Sequence, residues 1–130
     1  MWWSDYIGLK FSEKGRDRNG VDCWGLVRLI YDEKFGIALP DYSDLYSNTT
    51  DDESIQALVD DKHNQHWMDV DKPISGDIIF IKMNGMPTHV GIVTSEGYML
   101  HCLKGIGAAQ EPYNGMKWRN KVVGFARWKT

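Results

Sequence analysis

The sequence predicts an α+β domain, with helices first and a meander of antiparallel strands after. Three observations carry that expectation. From Cys23 onward, Leu26, Val27, Ile30 and Tyr31 fall on one face of a helix by their spacing of three and four. Ile78-Ile79-Phe80-Ile81 is a continuous apolar run bounded by turn residues, fit for a central strand. Residues 88–93 and 98–103 flank Ser95-Glu96-Gly97, the pattern of a hairpin.

The elements follow in order. A short N-terminal helix is expected over 3–8, where Trp2, Trp3, Tyr6 and Ile7 offer an apolar side. The second helix runs over about 22–35 and stops at Gly36, a residue that tolerates the left-handed conformation ending many helices. An extended, Pro-bearing segment occupies 37–42. A third helix starts near Thr50, where Thr50 and Glu53 read as a capping box ahead of Ile55, Leu58 and Val59. Pro73-Ile74-Ser75-Gly76-Asp77 forms a turn before the 78–81 strand, and Asn84-Gly85 forms another after it. A last strand spans 121–128. The helices are expected to pack on the central antiparallel sheet.

Composition narrows the function classes. At 130 residues with no repeat or linker, the chain reads as one domain over 1–130. A net charge of −3 and no lysine/arginine block argue against nucleic acid and against an anionic membrane surface as partners. No apolar stretch approaches the ~20 residues of a membrane span. Met1-Trp2-Trp3-Ser4-Asp5-Tyr6 lacks a basic segment followed by a long apolar one, so no signal peptide is expected. Two cysteines do not make a disulfide scaffold, which fits a reducing cytoplasm as the place of synthesis.

The chemistry-bearing residues are few. Cys23 sits where the polar stretch Lys14 to Gly20 gives way to the amphipathic helix. A thiol in a first turn feels the positive end of the helix dipole, which favours the nucleophilic thiolate. The competing reading is a small buried apolar residue. His63 and His66 lie in a polar stretch and are assigned nothing. His89 and His101 fall mid-strand, and whether they meet depends on hairpin register. A three-residue loop with Gly97 left-handed pairs Thr94 with Tyr98 and Gly91 with His101, leaving His89 one diagonal step away on the same face. A two-residue loop would throw the rings to opposite faces. On one face, His89 reads as a base and His101 as the group that orients it, with Gly91 leaving open space beside them. Cys102 points the other way and reads as buried and inert.

These residues resemble the NlpC-type cysteine peptidases of bacterial cell walls, papain-like in architecture. The resemblance rests on Asp22-Cys23-x-Gly25-Leu26-Val27, Gly36-x-x-Leu39-Pro40, Gly76-Asp77-Ile78-Ile79-Phe80, His89-Val90-Gly91-Ile92-Val93 and Met99-Leu100-His101, in the family's order. Gly15 to Trp24, with residues 36–42, is most similar to the branch encoded in phage and prophage tail gene clusters, in which a tail carries its hydrolase to the envelope. The resemblance implies Cys23 as nucleophile, His89 as general base and then acid, and His101 as the third residue, with no metal or other cofactor. It implies a peptidoglycan stem peptide as substrate and phage tail proteins as candidate partners. The resemblance implies Asp22 as substrate-binding, toward a free peptide amine. Trp24, by its position, is a second substrate-binding candidate as a cleft wall, with packing against the N-terminal Trp2 and Trp3 placed ahead of that reading.

Two positions depart from the family. Phe11 stands where a tyrosine is common, and Trp24 where serine commonly follows the cysteine. Both remove hydroxyls from the site. Beside the peptidase, two other readings stay open. One is a tail assembly protein that retains the fold without activity. The other is a zinc site made by Cys23, His89 and His101.

Overall fold

The computed structural model describes residues 1–40, 66–83 and 86–129. The expected helix near Thr50, His63 and the Asn84-Gly85 turn lie outside them. Among the described residues one α-helix, α1 (Cys23–Phe35), is joined by eight strands: β1 (Arg16–Asp17), β2 (Gly20–Val21), β3 (Trp67–Val70), β4 (Ile78–Met83), β5 (Met86–Ser95), β6 (Tyr98–Leu103), β7 (Gly107–Pro112) and β8 (Val122–Trp128). β1 and β2 form a small hairpin, and the other six make an antiparallel sheet in the order β3-β8-β4-β5-β6-β7.

The run Ile78-Ile79-Phe80-Ile81 is apolar throughout because both sheet faces are covered. Ile78 and Phe80 join Val90, Ile92 and Leu100 beneath Leu26, Val27 and Ile30 of α1. Ile79 and Ile81 join Val93 and Met99 on the other face, beneath Trp118. α1 begins and ends as its residues dictate. Asp22 is the N-cap, accepting from the Gly25 N–H at 2.7 Å, and Gly36 closes the helix at φ 67°. Leu39 and Pro40 then fold back on α1, their carbonyls accepting from Arg28 Nε at 2.9 Å and Trp24 Nε1 at 3.0 Å.

The turn before β4 is held by Asp77, buried to 2% exposure. Its carboxylate takes both Arg127 donors at 2.9 Å and the Ile74 N–H at 2.7 Å. Such a bidentate pair is geometrically specific as well as strong.

The N-terminal helix expected over 3–8 is instead a single 3-10 turn, Ser4–Tyr6. The chain is drawn away by β7: the Gly8 N–H donates to Ala108 O, and the Ala108 N–H to Leu9 O, each at 2.9 Å. Gly8 turns at φ 94° to permit it. Trp2 packs edge-on against Trp3 at 5.3 Å and Phe35 at 5.5 Å, and Trp24 edge-on against Trp67 at 6.3 Å.

The hairpin register between β5 and β6 is the one that keeps the histidines together, but it arises differently from the expected loop. Ser95 pairs with Tyr98, leaving a two-residue turn, and a register shift between Val93 and Ser95 then restores Val93↔Met99 and Ile92↔Leu100. The extra residue reverses the face change that a two-residue turn alone imposes. Gly97 is left-handed, at φ 81°.

Candidate active site

Adjacent strands deliver the two imidazoles. His89 lies opposite Ile81 of β4, and His101 opposite Ala109 of β7. Both therefore project onto the face that carries Ile79, Ile81 and Met99. His89 Nε2 and His101 Nδ1 are 2.8 Å apart. Gly91 does not open space beside them; a Cβ there would stand 3.1 Å from His101 Cβ and 3.0 Å from Leu100 O. Its role is close approach of β5 to β6.

A residue that the sequence reading missed completes the row. Glu111 of β7 places Oε2 2.5 Å from His101 Nε2, and its Oε1 3.3 Å from Lys117 Nζ. In β7 it is two residues from Ala109, the partner of His101, and so shares the histidine face. That relation was not legible because Gly107-Ala108-Ala109-Gln110 has no strand-like composition. Trp118 roofs the site, with its ring stacked on His89 at 6.4 Å and edge-on to His101 at 5.0 Å. His89 is 5% exposed and His101 0%.

Burial governs the ionisation of both rings. Desolvation, reinforced by His101, pushes His89 down to about 3. His101 is also lowered by desolvation, against the pull of Glu111. Burial pushes the Glu111 carboxyl up, but the hydrogen bond from His101, with further help from Trp118 and Lys117, outweighs it and holds the group below its usual range.

Native rings that resist protonation bind fewer protons than the same rings in the unfolded chain, whose ordinary pKa is 6.5. Stability is thus complete above about 6.5 and falls as pH drops through the window between that value and the depressed native one. Each ring contributes a slope of at most about 1.4 kcal/mol per pH unit. Urea unfolding between about pH 6.5 and 4.5, above most carboxylate titration, is expected to show this loss. A flat stability profile across that window would contradict neutral buried rings.

Cys23 is the first residue of α1 and is 1% exposed. The chain entering α1 lies against β6, where Cys102 Sγ donates to Val21 O at 3.3 Å, one residue from His101. The β5–β6 pairs end at Ile92↔Leu100, whereas the β6–β7 pairs continue through His101↔Ala109 to Leu103↔Gly107. The imidazoles lie just beyond the end of the β5–β6 ladder, and His101 adjoins Cys102, which reaches Val21 just before α1.

The start of α1 is fixed by Asp22 and two glycines. Besides the Gly25 N–H, the Asp22 carboxylate accepts from Arg16 Nη1 at 2.6 Å and from the Lys14 N–H at 2.9 Å. Gly25 passes so close to Gly15 that a Cβ would stand 1.9 Å from Gly15 O. Burial bears on both substrate-binding assignments. Asp22 is 1% exposed with both oxygens engaged internally, and Trp24 is 0% exposed in the core. Asp22 caps the helix start, and Trp24 packs in the core against Trp67 and donates to Pro40 O. Tyr6 does not replace the hydroxyl absent at Phe11, because its OH donates to Glu33 Oε1 at 2.7 Å. Glu33 is ten residues along α1 from Cys23, about 15 Å by helical rise.

The donor set does not suit zinc. His101 uses both ring nitrogens, one toward His89 and one toward Glu111, so neither is left to coordinate. Among the described residues no group of three or more His, Cys, Asp or Glu is arranged to hold a metal ion. Among them also, no helix is long and apolar enough to cross a membrane.

Comparison with known proteins gives the family and the fold. The family model described as NlpC/P60 family matches residues 8–127. The "Probable endopeptidase NlpC homolog" of Haemophilus influenzae is 20% identical over 116 residues, covering 89% of this chain and 54% of the relative. "Tail tip assembly protein K" of Escherichia phage N15 is 29% identical over 113 residues, covering 83% of this chain and 45% of the relative. The chain thus spans about half the length of these curated relatives. A crystal structure of an NLP/P60 family protein from Staphylococcus aureus, described as similar to lipoprotein, superposes with TM-score 0.71 at 23% identity, over 99% of this chain and 39% of that one. That likeness establishes a shared fold.

Proposed function

The chain belongs to the NlpC/P60 family, and on that premise we propose that it is a cysteine peptidase cleaving amide bonds in peptidoglycan stem peptides. The observation that carries this reading is the 2.8 Å contact between His89 and His101, two buried rings kept neutral by their surroundings. A neutral imidazole is the form a general base requires.

In the proposed reaction, Cys23 gives its proton to His89 as the sulfur attacks the scissile carbonyl. The oxyanion forms at the tip of α1, where backbone N–H groups and the helix dipole favour negative charge. Imidazolium His89 then protonates the departing amine, leaving a thioester on Cys23. A water molecule gives its proton to His89 and releases the acyl group, restoring thiol and neutral ring. His101 accepts from His89 Nε2 throughout and fixes the ring plane. Burial that disfavours a lone imidazolium is offset during turnover by the adjacent thiolate, which fits proton transfer in step with attack.

The likeness to a phage tail tip protein favours a tail as the setting in which the domain meets the wall. Digesting purified peptidoglycan with wild type and with Cys23→Ala, with fragments identified by mass, tests the reading. Wild type is expected to release stem-peptide fragments and Cys23→Ala none. Fragments from both would remove the thiol mechanism, and fragments from neither would favour an assembly role.

A further inference from the structure

We propose that Glu111 is a positioning residue of this site, its carboxylate fixing the tautomer of His101 and, through it, that of His89. The inference deepens the reading above and rests on it for its catalytic meaning, but its physical content stands on the contacts alone.

A neutral imidazole has one N–H and one bare nitrogen. His101 is fully buried and has both nitrogens engaged, Nε2 with Glu111 Oε2 at 2.5 Å and Nδ1 with His89 Nε2 at 2.8 Å. An ionised carboxylate only accepts, so the proton of His101 belongs on Nε2. Its Nδ1 must then accept, and His89 Nε2 must donate. His89 therefore carries its proton on Nε2 and presents a bare Nδ1, the nitrogen a base needs. With the opposite assignment, the lone pair of His101 Nε2 would face the carboxylate, and His89 would hold its proton on Nδ1, unable to accept another.

The surroundings keep Glu111 in the ionised form this requires. Lys117 Nζ sits 3.3 Å from Oε1, and Trp118 packs edge-on against His101 at 5.0 Å, limiting rotation of the ring. Glu111 retains 23% of its side-chain exposure while His101 has none, so the carboxylate links a sealed pair of rings to the surface. Its effect on His89 passes through His101.

Nitrogen-15 NMR of the histidine side chains in the full chain at neutral pH tests this. Wild type is expected to show both His89 and His101 protonated on Nε2, and Glu111→Ala to show mixed tautomers at His101. In the Glu111→Ala variant, kcat for peptidoglycan fragments should fall about ten- to a hundredfold with little change in KM. Glu111→Gln, whose amide oxygen still accepts, should recover part of both signals. A wild-type spectrum with the His101 proton on Nδ1 would overturn the proposal, and needs no variant to fold. So would Glu111→Ala with unchanged tautomers and kcat. Wild type that cleaves nothing yet shows the expected tautomers would sink the peptidase reading and leave the positioning role standing.

Discussion

Replacing His89 with alanine is expected to reduce cleavage of peptidoglycan stem peptides by about 10²- to 10⁴-fold in kcat/KM, the range associated with losing one positioned general acid–base group. The size follows from the double use of His89, which serves first as base to the thiol and then as acid to the departing amine. No described neighbour can stand in for it. His101 has Nε2 committed to Glu111, and Trp118 above the pair has no basic nitrogen. The fold should survive, since His89 makes no buried ion pair and its backbone pairing with Ile81 is unaffected. The check is initial-rate chromatography of released fragments beside a thermal melt. Activity within tenfold of wild type in a folded variant would mean that another group moves the proton.

The second large effect is on stability. Gly25→Ala should destabilise the domain by about 3–5 kcal/mol, the upper range for forced overpacking. The added Cβ meets a backbone oxygen, Gly15 O, at 1.9 Å, and lies 3.0 Å from Arg16 Nη1 and Asp22 Oδ1. Backbone cannot swing aside as a long side chain can. Either the segment before β1 lifts from α1, or the helix start shifts and breaks the Asp22 contacts with Lys14, Arg16 and Gly25. For a domain of this size the melting temperature should drop by roughly 10–20 °C. A melt within about 2 °C of wild type would show that the two segments separate at little cost. The family pattern Asp22-Cys23-x-Gly25 thus has a mechanical meaning. Asp22 and Gly25 fix the loop and first turn on which Cys23 is carried.

The parts of the fold readable from residues were those with strong local signals. α1 had apolar periodicity and a terminal glycine, and its extent agrees with them. β4 had an uninterrupted apolar run, and the covering of both sheet faces accounts for it. β1, β2 and β7 had no such signal. The first two are two residues long, and β7 is defined by pairing along the edge of β6 rather than by its own composition. Glu111 was missed with β7. The N-terminal segment carried an apolar side that suits a helix, yet its backbone hydrogen bonds go to β7. The adjacency of His89 and His101 was legible only because a bulge offset a shorter turn, two departures that cancel. Trp24 lies in the core, as the packing reading of its position expects.

The measurement that bears most directly on the central claim is the rate of iodoacetamide labelling at each cysteine, resolved by peptide mass, in wild type and His89→Ala. If His89 draws the proton from Cys23, that thiol should react well before Cys102, whose Sγ is committed to Val21 O, and the advantage should vanish in His89→Ala. Equal rates at the two cysteines in wild type, or a fast Cys23 that ignores the loss of His89, would contradict the account.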